Sequence, residues 1–505
     1  MASKKNGICF LVGAGPGDPG LLTLRGRDVL ARAQVVIYDH LVNHELLGFA
    51  PADAELIYAG KKSGDHTMPQ EEINRLLVEC TQAGKIVVRL KGGDPFVFAR
   101  GAEECLALVK AGQRFEIVPG VSSAIAGPAY AGIPVTQRSV NSVLTIFSGH
   151  HDPSGDAAGD VYGSIGGAPG TKVMLMGVEN LRGIAQRMIA GGAKVSMPSA
   201  AIRWATRGDQ VVVRGTLGDI ADQVEKADLQ APAVVVFGDV AALSSQLAWT
   251  ATRPLFGRRI VVTRSRAQSA KLTAALRDLG ADVYELPLIR REPPPNVREF
   301  GELVQDAHTY EWIVFTSANG VDAFFEMFYK LYDDAREIGG TKFAAVGTAT
   351  AQRIKEHNYH TDLVADNFHA DALTETFRKK MDVENVKILV VRPGETSGAL
   401  ARELGGMGAI VDEAIAYCTV PEEEDRTRAR ERLTTEGADL VVFTSSSTAR
   451  NFFALKLPLP SDLKFASIGP VTTRTLEECG ARPAVEAGKH DIPGLVEAIT
   501  AYFIP

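Results

Sequence analysis

Cysteine is scarce in this chain. Five residues among 505 (Cys9, Cys80, Cys105, Cys418 and Cys479) are odd in number, widely scattered and never in a CxxC pair. That usage excludes a disulfide framework and a zinc cage, and it fits a reducing, cytoplasmic setting. Long apolar runs are missing too: nothing approaches the roughly 18 residues of a membrane-spanning helix. The opening MASKKNGICFLVGAGPG breaks at glycines within a few residues, without the apolar core and cleavage site of a signal peptide. Positive charge is not in excess, since 54 Lys+Arg face 61 Asp+Glu for a net charge of −7. A general nucleic-acid or membrane-surface binder is therefore not expected, although a local basic pocket for an anionic ligand is compatible with this balance.

What is present reads as a globular α/β protein. Apolar residues are 45% and charged residues 23% of the chain, ordinary values for a protein with sizeable cores, and the length suggests about three domains. Short β-branched runs at 8–12, 35–38, 86–90, 143–147, 173–176, 200–203, 211–214 and 233–237 alternate with amphipathic patterns such as 22–33 and 71–83. Such alternation predicts α/β layers with a largely parallel sheet. The Pro-Gly-basic stretch LAWTATRPLFGRR, 247–259, reads as a linker before a fresh strand at 260–263, with the main boundary near residue 252. The Gly/Ala/Asp-rich patch 152–170 reads as a loop.

The second half repeats itself. IVVTRSRAQSAKLTAALRDLGADVYELPLI (260–289) resembles ILVVRPGETSGALARELGGMGAIVDEAIAY (388–417), which aligns Arg264 with Arg392 at an offset of 128 (392 − 264). WIVFTSANG around Thr316 resembles LVVFTSSST around Thr444 at the same offset, and FAAVGTAT at Gly347 matches FASIGPVT at Gly469. Two similar α/β lobes flanking a cleft follow from this order.

Three glycine-rich blocks in the first half carry chemistry. VGAGPGDPGLLT, 12–23, lies between a strand and a helix, where glycine lets backbone approach a ligand and the helix start offers free N–H groups. With Asp39 about twenty residues on, a nicotinamide-binding fingerprint is one reading. Asp18 at the third glycine position and Pro16 in the turn count against it. RLKGGDPFVFARGAEE, 89–104, and VPGVSSAIAGPAYAGIPVTQR, 118–138, place further turns at the C-terminal edge of a sheet, where α/β proteins bind ligands. Taken singly, they read equally well as a tight helix-capping turn and as close packing of small residues.

Together these blocks resemble the tetrapyrrole methylase family, and within it the uroporphyrinogen-III C-methyltransferases, over roughly residues 7–242. The resemblance implies a two-subdomain methylase fold and an S-adenosylmethionine site lined by Pro16, Gly92, Gly93, Asp94, Val97, Ser122, Ser123, Met176 and Ala205. S-adenosylhomocysteine would be the product, and no metal is implied. It also implies Asp39 as proton acceptor and Lys61 as donor. The residues themselves leave Asp39 open to a turn or capping role, and Lys61 and Lys62 to substrate-carboxylate contacts or a solvated pair. Ala99 and Gln137 depart from the usual Gly and His of the family. The family's homodimeric habit implies a dimer through this half, with tetrapyrroles as substrates.

The repeat half has no nucleophile–base pair, HExxH motif or phosphate loop. The run His150-His151-Asp152 is no metal motif if it lies on a strand, where neighbours face opposite ways. What the repeat offers is hydroxyl-rich strand ends at Thr316-Ser317, Thr444-Ser445-Ser446 and Thr472, with Arg264, Arg266 and Arg392 as positive charge. Such groups suit an anionic, multi-carboxylate ligand.

Those blocks resemble uroporphyrinogen-III synthase over about residues 255–504. That resemblance implies two α/β lobes joined by a β-linker whose strands are 285–289 and 414–420. Tyr417 matches the family's cleft tyrosine, assisting departure of a hydroxyl group or simply packing on a lobe. The expected domains are residues 1–252, with subdomains 1–118 and 119–245, and residues 253–505, with one lobe of 257–288 plus 420–505 and another of 293–413. The expected function is bifunctional: cyclisation of hydroxymethylbilane to uroporphyrinogen III, then two methylations to precorrin-2. The alternative is a methyltransferase carrying a catalytically inactive tetrapyrrole-binding module.

Overall fold

A computed structural model describes residues 7–60, 68–151, 153, 161–264, 266–365 and 370–504. The chain divides into two compact units, one of residues 1–287 with 424–505 and one of 288–423.

The first unit holds three sheets. Strands β1 (Ile8–Gly13), β2 (Val35–Tyr38), β3 (Glu55–Tyr58), β4 (Ile86–Lys91) and β5 (Phe115–Val118) are all parallel in the order β3-β2-β4-β1-β5. Thr23 accepts from the Gly26 N–H (3.0 Å) and starts the helix Leu24–Leu30. The helix Gln70–Gln82 turns Ile73 and Leu77 into the core. The second sheet, β6 (Leu144–Ser148), β7 (Thr171–Leu175), β8 (Pro198–Arg203), β9 (Val211–Thr216) and β10 (Ala233–Phe237), has the order β6-β7-β10-β8-β9. Only β6 and β7 are parallel there; the pairs β7–β10, β10–β8 and β8–β9 are antiparallel. The expectation of a largely parallel sheet fails at this point for a simple reason. The connection 204–210 between β8 and β9 is too short for a parallel crossover.

Part of the 152–170 patch is not a loop. Residues Val161–Gly167 form a helix, whose Gly166 lies against the Met188 backbone of the helix Leu181–Ala190. A Cβ on Gly166 would stand 2.3 Å from the Met188 carbonyl oxygen, so the glycines that looked like loop signals allow two helices to touch. Asp152 and residues 154–160 lie outside the described residues. His150 and His151 follow the end of β6 and their rings lie side by side, centroids 3.7 Å apart, so the argument from strand alternation does not apply to them.

The third sheet of this unit is parallel, β12-β11-β19-β20-β21, built from β11 (Arg259–Val262), β12 (Asp282–Glu285), β19 (Leu440–Phe443), β20 (Lys464–Ser467) and β21 (Val485–Glu486). It is tied to the second by charge: Asp282, nearly buried, accepts from Arg432 (2.5 Å) and Arg259 (3.3 Å) and lies 3.7 Å from Arg207 in the loop after β8. Asp209 and Glu436 close the network around Arg207 and Arg259.

The second unit has one six-stranded sheet, β13-β18-β17-β14-β15-β16, from β13 (Ile289–Glu292), β14 (Trp312–Phe315), β15 (Lys342–Ala345), β16 (Leu363–Val364), β17 (Lys387–Pro393) and β18 (Ile410–Pro421). Its core is rich in phenylalanine, with Phe315, Phe324, Phe325, Phe328 and Phe343 in one cluster. The antiparallel pair β13–β18 corrects the expected linker strands: the first begins at Ile289, because Glu285 already closes β12 and Pro287, with no N–H to donate, follows.

The repeat is visible as a strand exchange. Strand starts 259, 282 and 312 recur at 387, 410 and 440, an offset of 128 (440 − 312), and 342 and 363 recur at 464 and 485, an offset of 122 (464 − 342). Each repeat gives its first two strands to one sheet and its last three to the other, so β12-β11-β19-β20-β21 in one unit mirrors β18-β17-β14-β15-β16 in the other.

Candidate active sites

Strands β4, β1 and β5 are neighbours, so the turns after them must meet at one sheet edge. The three glycine-rich blocks are those turns. Gly15 and Gly93 exchange backbone hydrogen bonds (Gly93 N–H to Gly15 O, 2.7 Å; Gly15 N–H to Gly93 O, 3.2 Å). A Cβ on Gly13 would lie 2.4 Å from the Gly120 Cα, and one on Gly120 would lie 2.3 Å from the Gly93 oxygen. No side chain fits at either position, which is why the first and third blocks carry glycine there, while Gly93 of the second adopts a left-handed φ of 66° that favours glycine.

Asp94 fixes the arrangement, accepting from the Phe96 N–H (2.8 Å) and the Gly120 N–H (3.0 Å). Gly93 faces the start of the helix Ser123–Tyr130, its missing Cβ 3.9 Å from the Ser122 Cα and the Ser123 nitrogen. Ser122 caps that helix through the Ala124 N–H (3.3 Å). Val97 and Ala205 share an apolar cluster with Ala124. Gly92 packs beside Leu41, and Pro16 lines a cavity of about 500 Å³ together with Gly17 and His40. Met176 follows β7 in a left-handed conformation (φ 54°) and is half exposed. The structure thus brings Pro16, Gly92, Gly93, Asp94, Ser122 and Ser123 to one edge, with Val97 and Ala205 joined to Ala124 just after the two serines. No contact ties Met176 to them among the described residues.

Asp18 explains why the nicotinamide fingerprint fails. Its carboxylate accepts from the Gly20 N–H (2.7 Å) and the Tyr130 hydroxyl (2.8 Å), and its own N–H donates to Thr206 (3.0 Å). Burial, reinforced by that hydrogen bond, pushes the Tyr130 hydroxyl well above its ordinary range. The position that would hold a third glycine is a tie between the first sheet and the loop after β8.

Asp39 follows β2. Its carboxylate goes to Arg89 (2.5 Å) rather than to a turn N–H, with Lys91 at 3.9 Å. Arg89 and Lys91, alternate residues of β4 on one face, are buried and share the fully buried Glu104 at 2.9 Å each. Burial draws the Lys91 ammonium below its ordinary value, with Arg89 adding to it; at Arg89 burial acts the same way but is outweighed by Asp39 and Glu104. Sequence reasoning missed this network. Its signal was two cations spaced two apart in the strand IVVRLK, which only buried carboxylates make tolerable. Lys61 and Lys62 lie outside the described residues. Ala99 sits between two left-handed residues, Phe98 (φ 53°) and Arg100 (φ 58°), without itself needing a positive φ, and Gln137 is exposed and forms an isolated bridge with Asn141.

In the second unit, Tyr417 is buried and its hydroxyl is 3.1 Å from the Ser317 Oγ. Ser317 caps the helix Ala318–Leu331 through the Gly320 N–H (3.1 Å), and Thr316 donates to the Val391 carbonyl (3.2 Å). Arg392 is already matched: it pairs with Glu413 and donates to the Pro393 and Thr396 carbonyls (3.0 and 3.1 Å). The charge expected to meet a ligand is spent inside the lobe. In the first unit, Ser445 caps the helix Ser446–Ala454 as Ser317 does 128 residues earlier, following Thr444 at the end of β19. Ser446 accepts from Thr475 (2.8 Å), and Thr472 is buried. Arg264 is partly buried, which lowers its guanidinium from the usual range, and the side chain of Arg266 lies outside the described part.

Comparisons with known proteins align with these two arrangements. The family Tetrapyrrole (Corrin/Porphyrin) Methylases matches residues 9–221, and Uroporphyrinogen-III synthase HemD matches residues 270–497. The Porphyrin biosynthesis protein HemD of Ruminiclostridium josui is 34% identical over 98% of this chain and 98% of its own. The Uroporphyrinogen-III C-methyltransferase of Bacillus subtilis is 42% identical over 68% of this chain and 70% of its own. Among solved structures, a uroporphyrin-III C-methyl transferase from Thermus thermophilus complexed with S-adenosyl homocysteine is 36% identical over 46% of this chain and 93% of that one, with a TM-score of 0.40. A relative alike from end to end, and two family matches in the same order as the glycine edge and the exchanged repeat, leave one assignment: the chain belongs to the family of porphyrin-biosynthesis proteins that join a tetrapyrrole methylase to a uroporphyrinogen-III synthase.

Proposed function

We propose that the N-terminal half transfers two methyl groups from S-adenosylmethionine to uroporphyrinogen III, giving precorrin-2, and that the C-terminal half makes uroporphyrinogen III by cyclising hydroxymethylbilane with ring inversion and loss of water. The observation that carries the first assignment is the convergence of Gly13, Gly93 and Gly120 at one sheet edge beside the Ser122-capped helix. Turns packed this closely offer backbone and a capped helix start with no side chain between them, and the residues fit a methyl donor. When bound, S-adenosylmethionine supplies an electrophilic methyl group to a pyrrole carbon and leaves as S-adenosylhomocysteine.

The protein's own tasks are to position two reactants and to remove one proton for each methyl added. Asp94 holds the turns that shape the donor site. Asp39, fixed by Arg89 yet partly exposed, is the proton acceptor. Lys61 is assigned the donor role on family resemblance alone.

For the synthase half, ring closure of a flexible chain is an entropy problem that diffuse contacts from Thr316, Ser317, Thr444, Ser445, Ser446, Thr472 and Arg264 address. Tyr417, oriented by Ser317, assists the departing hydroxyl. A homodimer through the methylase half and a cytoplasmic location complete the reading. No two of the five cysteines are bonded to each other, and among the described residues no helix is long and apolar enough to cross a membrane; both are compatible with that location.

The test is one incubation of the full-length protein with hydroxymethylbilane, with and without S-adenosylmethionine, with products identified by mass and isomer. The type III isomer without the donor and a dimethylated product with it are expected. Only the spontaneous type I ring without the donor would leave the C-terminal half a binding module.

A further inference from the structure

The loop 39–45 after β2 is gripped by the other half of the protein. Asp39 opens the loop. Asn43, in its middle, donates to the Gly17 carbonyl (2.8 Å) and accepts from the Glu45 N–H (3.0 Å), so the loop braces the glycine turn of the donor site. At its end Glu45, partly buried with its Oε1 shielded from solvent, pairs with Arg277 of the helix Arg266–Asp278. Arg277 is anchored in turn by donating to the Val283 carbonyl of β12 (2.9 Å). On the other flank, Arg428 lies over the Tyr58 ring at the end of β3, 4.8 Å from its centroid, and Arg426 donates to the Pro51 carbonyl (2.9 Å). The cavity beside Pro16 and Gly17 is walled by His40 and His44 from this loop and by Tyr284 and Arg432 from the other side.

We infer that Arg277, a residue of the synthase half, is a positioning residue for methyl transfer: its ion pair with Glu45 holds the loop that carries Asp39 and braces Gly17. The inference rests on the methyltransferase reading above. Burial raises the Glu45 carboxyl while Arg277 draws it down. Removing the guanidinium leaves a shielded carboxylate without its partner, relieved by taking up a proton or by moving the loop, and either way the tie is lost. A loop freed beside reacting groups is felt in turnover more than in folding.

The experiment uses the full-length protein as wild type, Arg277→Met, Glu45→Gln and the double variant, assayed well below the melting temperature. Methylation of supplied uroporphyrinogen III (kcat and KM) and cyclisation of hydroxymethylbilane are measured on the same preparations, with a thermal melt for each. Arg277→Met and Glu45→Gln are each expected to lower methylation kcat about tenfold with cyclisation intact, and the double variant to lose no more than either, because all three lack the same ion pair. Arg277→Lys, which keeps the charge without the fork, gives a smaller loss and serves if the Met variant folds poorly. Wild-type methylation kinetics in Arg277→Met or Arg277→Lys, with only a lower melting temperature, would overturn the inference and reduce the contact to domain glue. Absence of methylation by the wild type would instead remove the functional reading itself, and this inference with it.

Discussion

Asp18 and His44 show how single side chains in this protein join segments far apart in sequence. Replacing Asp18 with Ala removes a turn cap and the partner of a half-buried tyrosine hydroxyl, so unfolding free energy is expected to fall by about 1–3 kcal/mol in a denaturant titration. His44 is pushed down to about 4, first by burial and then by Arg428, His40 and Arg432. The folded state thus binds a proton later than the unfolded state, whose histidine titrates near 6.5. Its contribution is complete above pH 6.5 and declines as pH falls toward 4, by on the order of 3 kcal/mol in all. Melting temperatures at pH 7 and 5 will show a smaller drop for His44→Phe than for the wild type if this holds. An equal drop would exclude His44 as the source. Neither role was legible in sequence, because the partners Tyr130, Thr206 and Arg428 stand 112, 188 and 384 residues away (130 − 18, 206 − 18, 428 − 44).

Elements tell a different story, since the glycine blocks were readable and the charges between them were not. A turn that follows a strand and precedes a helix announces its place at a sheet edge, and three such turns meet once their strands prove to be neighbours. Gly120→Ala is expected to abolish methylation while leaving cyclisation, because its Cβ would meet the Gly93 oxygen at 2.3 Å. Retained S-adenosylmethionine binding by calorimetry would contradict that. Asp39→Asn keeps the shape and removes the proposed proton acceptor, so methylation should fall on the order of a hundredfold or more with little change in KM. The buried cluster Arg89–Glu104–Lys91 stayed hidden because Glu104 comes from a helix, Gly101–Lys110, whose inward face the pattern GAEECLALVK leaves ambiguous. The linker strand was misplaced by a few residues for a similar reason: ELPLIRRE alternates poorly, and Pro287 alone marked the break.

At the scale of the whole chain, likeness between the repeats says which strands are equivalent and never which strands touch; the expected grouping of 257–288 with 420–505 came from the family resemblance alone. Hydrogen bonds settle it: Ile260 lies opposite Leu440, while Trp312 lies opposite Ile388. Pairing over such separations closes slowly, because the intervening chain must first be ordered. Residues 288–423, whose strand partners all fall within that span, therefore gain amide protection before β11, whose partner β19 lies beyond it, in a refolding pulse-labelling experiment. Protection of β11 ahead of β14 would refute this order.

The strand exchange also sets a timetable for synthesis. A ribosome releases β11 and β12 early, yet their neighbour β19 emerges only after the whole of 288–423 has followed. Until then the apolar run Ile260-Val261-Val262 is a bare strand edge on a growing chain. The window in which this protein is most exposed to wrong partners thus lies during translation, between residues 262 and 443, and a stop codon anywhere in that interval leaves an open edge with nothing to close it.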